Sequence, residues 1–359
     1  MKKIIKVFII IVIVIFLCFC IFNFKNEIAN LFGTTKVEIE NYFGINDEQI
    51  YTEKQIEEIL LADDIEIKGE YTGKLDTYYY EQLDVYSKLI YKAILNNIDK
   101  LKIENCEIEL SNSLSNLMQK ENAKDELNLA FQNSWNAFRL DHPEVFDINI
   151  KNIFLTTKTT TIGKKTKYEF SLNSKEQKNS NNINNVDNLI NQKKDSIIKQ
   201  LNNDNVTNKI LKVHNWLIDN LKYDTTMKKE NNNNIYGALI ENEVVCEGYA
   251  KTFKYILDEL DIPCIIVCGE VVDESGISQK HAWNEIYLNG SWFAIDVTWD
   301  DPIIIGGGKL TNELRYKYFL KGSKEISKNH FEIGKISDDE NEIEFKYPKL
   351  STEDYKKIN

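Results

Sequence analysis

Residues 244–260 read Val-Val-Cys-Glu-Gly-Tyr-Ala-Lys-Thr-Phe-Lys-Tyr-Ile-Leu-Asp-Glu-Leu. The apolar residues of this stretch recur at helical spacing: Tyr249, Phe253, Ile256, Leu257 and Leu260. The spacing predicts an amphipathic helix that begins at Cys246. Residues 263–272 follow directly, and their composition predicts a buried strand. The sequence therefore predicts a core in which this helix is followed by a β-strand.

A cysteine in the first turn of a helix has a distinctive chemistry. The helix N-terminus carries partial positive charge and unpaired N–H groups, which favour thiolate over thiol. The same N–H groups could stabilise an oxyanion that forms on a carbonyl attacked by the sulfur. Position alone leaves open the alternative that Cys246 is a small buried hydrophobic residue, as free cysteines usually are.

Residues 280–300 predict a β-hairpin, because two alternating runs flank Asn289-Gly290, a two-residue turn signal. With that turn, Trp283 lies opposite Asp296. His281 and Asp296 then share a face as diagonal neighbours about 7–8 Å apart, a gap that side chains can close. A three-residue loop would place them on opposite faces. A purely structural role for His281 is the alternative.

A cysteine at a helix start, a histidine on a strand and an orienting carboxylate are the parts that an activated thiol requires. Three motifs carry these parts: Val-Cys-Glu-Gly-Tyr-Ala (245–250), His-Ala-Trp-Asn-Glu (281–285) and Asp-Val-Thr-Trp-Asp-Asp (296–301). In order and spacing they resemble the motifs of the transglutaminase-like superfamily, over roughly residues 210–330.

The resemblance implies an α+β fold with a papain-like core, in which the cysteine helix packs on an antiparallel sheet. It also implies catalytic roles: Cys246 as nucleophile, His281 as general base and acid, and Asp296 as the residue that orients the imidazole. Protein crosslinkers, peptidases, amidases and members without catalysis share this fold, so the fold does not determine the reaction.

Three aromatic residues, Tyr249, Trp283 and Trp299, lie within the motifs and are candidates for substrate binding. Simple packing is the alternative interpretation for the two tryptophans. His142, His214 and His330 have no acidic or thiol partner at a useful spacing in the sequence. They are therefore expected to be structural or exposed.

A zinc site built from Cys246, Cys264, Cys268 and His281 is the main metal alternative. Cys264 and Cys268 would lie about 13 Å apart on an extended strand at ~3.3 Å per residue, too far to bind one ion or to form a disulfide. No acidic loop suggests calcium. We therefore expect neither a metal nor another cofactor.

The N-terminus predicts a membrane anchor. Lys2, Lys3 and Lys6 precede an apolar run over residues 7–22, and the run approaches the ~20 residues that cross a bilayer. No small-residue cleavage site follows, although a cleaved signal peptide is the alternative. The lysines predict a cytoplasmic N-terminus, so the rest of the chain would lie outside. We therefore expect a single-pass protein of the cell membrane whose catalytic domain is extracytoplasmic.

The chain has 359 residues, enough for two ordinary domains. A smaller α+β domain is predicted before the core, and a polar, Asn-rich linker separates the two. The predicted segments are a cytoplasmic N-terminus (1–6), a transmembrane helix (7–24), a stalk (25–73), an N-terminal α+β domain (74–173), the linker (174–204), a transglutaminase-like domain (205–335) and a C-terminal tail (336–359).

The formal net charge is −12, which would repel a phosphate backbone, so nucleic acid is not an expected partner. The expected partners are the membrane and a protein or peptide substrate, cell-wall peptide included. The predicted function is an extracytoplasmic, thiol-dependent acyl-transfer enzyme acting on amide or peptide bonds: a peptidase, an amidase or a protein crosslinker. The alternative is a non-catalytic surface module that binds peptides or proteins.

Overall fold

A computed structural model describes residues 52, 54–56, 74–103, 105–162, 165–175, 180–201, 204–303, 309–337 and 340–356. The predicted transmembrane helix, residues 7–24, lies outside the described residues, as does most of the predicted stalk. Within the described part, every helix is too short or too polar to cross a membrane.

The N-terminal part combines helices with a small antiparallel sheet of order β1-β3-β2. Its elements are α1 (Val85–Leu95), α2 (Ile98–Ile103), β1 (Asn105–Glu109), α3 (Ala123–Asp141), β2 (Ile153–Ile162) and β3 (Lys165–Lys175). The helix α3 stops immediately before His142-Pro143, because a residue that precedes proline avoids the helical region.

The segment that leads into β2 begins with a turn. A short 3-10 turn occupies Ile150–Asn152, and β2 follows it to Ile162. The Asn149 side chain accepts a hydrogen bond from the Lys151 N–H at 3.0 Å, which stabilises a turn rather than an extended strand. The threonine-rich stretch beyond Leu155 then extends the strand, because β-branched residues favour it.

The second part contains the cysteine helix and a four-stranded antiparallel sheet of order β8-β7-β6-β9. A parallel two-stranded ribbon, β4 and β5, leads into the helix. The elements are α4 (Ser180–Ile198), α5 (Val206–Asn220), β4 (Lys222–Tyr223), β5 (Glu243–Val244), α6 (Cys246–Asp258), β6 (Cys264–Val272), β7 (Ser278–Leu288), β8 (Ser291–Ile295), α7 (Asn312–Arg315), α8 (Ser323–Ile326) and β9 (His330–Glu332).

The predicted hairpin is confirmed in turn and register. Leu288 pairs with Ser291 across the two-residue turn, and Asn284 pairs with Ile295. Asn289 and Gly290 both have positive φ angles, 51° and 83°, as a type I′ turn requires. One step beyond the last pair, Trp283 faces Asp296, so the predicted parity holds.

The cysteine helix α6 is held on two sides. Phe253 and Ile256 are fully buried against α5 and the sheet, and burying each contributes about 1.5–3 kcal/mol. On its other side, Ala250 belongs to a hydrophobic cluster shared with the N-terminal part. Lys254 is also buried, and its Nζ donates to the carbonyls of Leu75 and Cys264 and to Asp258. These contacts fix the start of α6 relative to both parts of the chain.

The segment after β9, part of the predicted C-terminal tail, also packs against these elements. Phe345 lies in the cluster shared with the N-terminal part, and Leu350 packs on the face of the sheet that points away from α6. The same outer face carries Val267, Trp283 and Tyr318. The sheet is thus covered on both faces.

Candidate active site

Cys246 is the first residue of α6, as predicted. Its position depends on close packing at the helix start, where the Val245 N–H donates to the Asn232 carbonyl at 2.7 Å. A Cβ atom added at Gly248 would lie 2.5 Å from the Val244 Cβ and 2.7 Å from the Asn232 carbonyl oxygen. Glycine is therefore required two residues after the cysteine, which explains this part of the motif.

The structure brings His281 and Asp296 together. The His281 Nε2 atom lies 2.8 Å from the Asp296 Oδ2 atom, and both side chains are almost fully buried. Because Nε2 is engaged by the carboxylate, Nδ1 is the ring nitrogen left for the Cys246 thiol. A hydrogen-bonding and electrostatic interaction with that thiol is one cause of the raised pKa of His281. The three residues predicted for catalysis therefore meet.

The charges within this group support one another. Burial alone would lower the pKa of His281, but the Asp296 carboxylate and the Cys246 sulfur together raise it to about 10. Burial would likewise raise the pKa of Asp296, but His281 and His330 hold it below its ordinary value. An imidazolium beside a carboxylate is therefore the favoured state of the His281–Asp296 pair near neutral pH.

Asp296 accepts four hydrogen bonds. Its Oδ1 atom accepts the backbone N–H groups of Thr298 and Trp299, at 3.0 and 3.1 Å. Its Oδ2 atom faces two imidazoles, His281 at 2.8 Å and His330 at 3.0 Å. The full set of partners explains how a carboxylate can keep its charge without contact with water.

The expectation that three histidines lack acidic partners is wrong. His330 contacts Asp296, His214 Nε2 lies 3.0 Å from Asp300 Oδ2, and His142 Nδ1 lies 3.0 Å from Glu144. For His142 the partner is two residues away, within a motif that was already visible in the sequence. For the other two the partners are 34 and 86 residues away in the chain, so no local pattern could reveal them.

Tyr223 is a second residue at the site that sequence reasoning did not select. It lies in β4, beside β5 and the start of α6, and its hydroxyl interacts with the backbone N–H of Cys246. Burial raises its pKa to about 12, and the negative charges on Cys246 and Asp296 contribute. The only available signal was its place at the end of the helix before the cysteine motif.

The aromatic candidates for substrate binding occupy different environments. Trp283 is 2% exposed and packs near His281 and His330. Tyr249 is 1% exposed, and its hydroxyl donates to Asp301 at 2.7 Å. Trp299 is half-buried, with its ring 5.9 Å from that of His281. Of the three, Trp299 has the most surface available to a substrate.

Two other cysteines, Cys264 and Cys268, have raised pKa values. Burial raises the pKa of Cys268 to about 12 and that of Cys264 further. Both lie on β6 as predicted. Because their pKa values are raised, their thiols stay protonated at neutral pH. Among the described residues, the group of possible metal ligands within 4.8 Å of one another is His281, Asp296 and His330, and it contains no cysteine. Hydrogen bonds already account for the contacts within that group.

A buried ionic network joins the helix start to the N-terminal part. Glu247 follows the cysteine and pairs with Arg139 of α3 and with Lys251, the latter at 2.8 Å. Burial would raise the pKa of Glu247, but Lys251 and Arg139 lower it to about 2. Arg139 therefore links α3 to the residue beside the thiol.

Comparisons with known proteins agree with this geometry. Residues 166–297 match the family model described as the transglutaminase-like superfamily. The curated relatives "Kyphoscoliosis peptidase" of Mus musculus and of Homo sapiens are each 26% identical over 127 residues. That alignment covers 32% of this chain and 19% of each relative, so the chain matches about a fifth of their length.

Solved structures with some similarity have low identity and low overlap. One is titled "Crystal structure of a TGase" (14% identity, TM-score 0.30, 48% of this chain and 50% of that one). Another is a putative cysteine protease from Cytophaga hutchinsonii (14%, 0.26, 41% and 64%). A third is the periplasmic domain of TgpA from Pseudomonas aeruginosa (11%, 0.24, 42% and 66%). The chain therefore contains a region, residues 166–297, that matches the transglutaminase-like superfamily.

Proposed function

We propose that this chain is a thiol-dependent acyl-transfer enzyme that acts on amide or peptide bonds. Cys246 is the nucleophile, His281 the general base and acid, and Asp296 the residue that orients the imidazole. The observation that carries the proposal is the 2.8 Å contact between His281 and Asp296, made while the imidazole also interacts with a thiol at a helix start. A buried structural histidine would need no thiol beside it.

The proposed reaction begins from the Cys246 thiolate beside the His281 imidazolium, and the sulfur attacks the substrate carbonyl carbon. The developing oxyanion is stabilised by the Cys246 N–H and the Tyr223 hydroxyl, which already lie side by side. The imidazolium then gives its proton to the departing amine, and a thioester remains on Cys246. Water or a second amine attacks that thioester and gives a proton to His281, and release of the acyl product restores the thiolate and the imidazolium.

Asp296 contributes by holding the imidazole in one orientation and by stabilising its charged form. Trp299 is the residue we propose as a wall of the acyl pocket, because it is half-buried and its ring lies near that of His281. The buried Trp283 and Tyr249 would support the site from behind: Trp283 packs near both imidazoles, and Tyr249 anchors Asp301.

We further propose that the site lies outside the cell membrane and acts on proteins or peptides there, cell-wall peptide included. Support comes from the lysines and the apolar run of residues 7–22. The test compares the full chain with a chain that begins at Asn26, each expressed with the same tag. Recovery of the full chain in membranes and of the shorter one in solution would support the anchor. Recovery of both in solution would contradict it.

Selective alkylation tests whether Cys246 is activated. Mildly acidic iodoacetamide should label Cys246 before Cys106, Cys264 and Cys268, and peptide mapping by mass spectrometry measures the order. His281→Gln is the matched variant, because it keeps a polar side chain but cannot accept the thiol proton. It should remove the preference. Equal labelling of these four cysteines, out of the six in the wild-type chain, would favour a non-catalytic binding module.

Incubation with casein and a fluorescent primary amine separates the possible reactions. Incorporation of the amine that is lost in Cys246→Ala would indicate crosslinking, and fragments without incorporation would indicate hydrolysis. The two outcomes differ only in the nucleophile that resolves the thioester. Neither product from a chain whose Cys246 alkylates selectively would point to a substrate unlike casein.

A further inference from the structure

We infer that His330 is a positioning residue of the proposed acyl-transfer site, and that it holds the Asp296 carboxylate in place for His281. The inference rests on the function proposed above. It starts from an unusual feature of the site, in which one carboxylate oxygen is shared by two imidazoles. The matched family region ends at residue 297, so His330 lies beyond it.

The contact between His330 and Asp296 is buried and direct. His330 is 4% exposed, and its Nε2 atom lies 3.0 Å from the Asp296 Oδ2 atom. The two histidine rings are 6.1 Å apart and nearly perpendicular, at 76°. His330 therefore approaches the carboxylate from a different direction than His281 and does not displace it.

The backbone that carries His330 is part of the main sheet. His330 is the first residue of β9 and pairs with Val271 of β6. The preceding residue contributes as well, because the Asn329 carbonyl accepts the Val272 N–H at 2.9 Å. The imidazole is thus attached to the same sheet that carries His281, which fixes the spacing between the two rings.

Aromatic side chains enclose the His330 ring. Trp299 lies 4.9 Å away, and Trp283 and Tyr318 lie 5.1 Å away, measured between ring centroids. Edge-to-face packing of this kind leaves a ring few alternative orientations. The ring is immobilised, and its Nε2 atom stays directed at Asp296.

The other ring nitrogen completes a chain of hydrogen bonds. The His330 Nδ1 atom lies 2.8 Å from the Asn329 Oδ1 atom, and the Asn329 amide nitrogen lies 2.8 Å from the Tyr318 hydroxyl. With the Asn329 oxygen facing the ring, both ring nitrogens must carry protons and His330 is cationic. With the amide reversed, His330 is neutral and accepts at Nδ1. In both arrangements Nε2 donates to Asp296.

A fixed carboxylate matters because Asp296 is buried and cannot be oriented by water. Without His330, the Oδ2 atom would keep a lone pair with no donor, and the carboxylate would be freer to turn away from His281. The imidazolium would then be less stabilised, and less of the thiol would ionise at a given pH. The titratable groups that face His330 are Asp296, His281 and Tyr318.

The test measures the rate of Cys246 alkylation against pH, together with turnover of a casein substrate, in the full chain. In His330→Phe, which keeps an aromatic ring but donates no hydrogen bond, we expect the midpoint of the alkylation profile to move to higher pH. We expect kcat to fall about 10- to 100-fold with little change in KM. A loss of this size is typical when a residue that holds a functional side chain in place is removed. His330→Gln, whose amide can reach Asp296, should recover most of both.

His214 supplies a matched control, because it is also fully buried and lies 3.0 Å from an aspartate, Asp300. His214→Phe should lower the thermal unfolding midpoint but leave the alkylation profile in place. If His330→Phe does not fold, the pair His330→Asn and His330→Gln decides, since only the glutamine is long enough to reach Asp296.

The possible failures can be told apart. Unselective labelling of the wild-type chain would remove the proposed function and this inference with it. Selective labelling of the wild-type chain, with an unchanged profile in folded His330→Phe, would overturn the inference and leave the function standing. An equal shift in His214→Phe would also overturn it, because the effect would then be a general one.

Discussion

Two buried aspartates, four residues apart, each contact a histidine, and the two contacts differ in charge. Asp296 lies 2.8 Å from His281, and Asp300 lies 3.0 Å from His214. Both carboxylates are 0% exposed. The pKa of Asp296 is nevertheless held below its ordinary value by His281 and His330, whereas burial raises that of Asp300 well above its own.

The histidines follow the same division. The pKa of His281 rises to about 10, because Asp296 and the Cys246 sulfur outweigh burial. Burial lowers that of His214 to about 3. The first contact is therefore an ion pair near neutral pH, whereas burial of the second favours the neutral forms of both groups.

The number of hydrogen-bond donors explains the difference. Asp296 has four donors, from two backbone N–H groups and two imidazoles, while Asp300 has three, the N–H groups of Tyr318 and Lys317 and a single imidazole, that of His214. A buried charge persists only when donors replace the water that it has lost. Burial and a histidine partner do not by themselves make an ion pair.

The largest expected effect is a difference in catalytic activity between variants of the two aspartates. Asp296→Asn should lower casein turnover by about 10³- to 10⁴-fold, because an amide cannot stabilise the imidazolium in the required orientation. Asp300→Asn should change turnover by less than about 5-fold, since a neutral acid and an amide are similar in shape and hydrogen bonding. Steady-state kinetics on both variants measures this. Equal losses would mean that the two contacts are equivalent.

The next effect concerns the pH dependence of stability. The folded-state pKa of His281 is about 10, above its unfolded value, so its stabilising contribution is complete below about pH 6.5 and is lost as pH rises towards 10. His281→Gln should therefore be less stable than the wild type by about 3 kcal/mol at pH 6, and this difference should shrink by pH 10. Urea unfolding at several pH values measures it. A difference independent of pH would contradict the ion pair.

A third buried carboxyl group, that of Glu285, differs from both aspartates. Glu285 of β7 is 0% exposed, and a second carboxyl group, that of Glu332 in β9, lies beside it. Burial and the nearby Glu332 raise its pKa well above the ordinary value. Folding therefore becomes less favourable as pH rises above about 4.3, where the unfolded chain ionises this group.

Glu285→Gln should thus stabilise the fold by about 1–3 kcal/mol near pH 8 and by much less at pH 4. Chemical denaturation at the two pH values tests this, and the same substitution at the exposed Glu332, which removes only the neighbouring charge, should give a smaller gain. A variant that is destabilised at pH 8 would show that the charged form has a partner after all.

The smallest effect is expected at Asp300. Its raised folded-state pKa makes stability fall as pH rises above about 3.9, whereas the lowered pKa of His214 makes stability fall as pH drops below about 6.5. The two contributions oppose each other between those values. Asp300→Asn removes the first, so the variant should gain about 1 kcal/mol at pH 7 and show a steeper loss of stability in acid. Identical unfolding curves for variant and wild type from pH 4 to 7 would refute it.

The features that could be predicted from the sequence are those set by nearby residues. The helix beginning at Cys246 follows from apolar spacing, and the parity of His281 and Asp296 follows from one two-residue turn. A two-residue turn sets the register of both strands that it connects. His281 and Asp296 are 15 residues apart in the chain, but their relative position therefore follows from the local sequence.

The contacts that could not be predicted join distant segments. His330 reaches Asp296 because β9 pairs with β6, and Tyr223 reaches Cys246 because β4 pairs with β5. The contact between Arg139 and Glu247 depends on how α3 packs near the start of α6. None of these pairings has a turn signal or a periodicity that marks it.

The chemical groups of the candidate site follow from the amino-acid sequence: a thiol at a helix start, and an imidazole and a carboxylate on one face of a hairpin. The difference in charge between the two buried aspartates does not, because it depends on the hydrogen-bond donors that distant strands bring to their oxygens. Spacing along a chain specifies which side chains share a face. The charge on a buried group depends on everything that replaces its water.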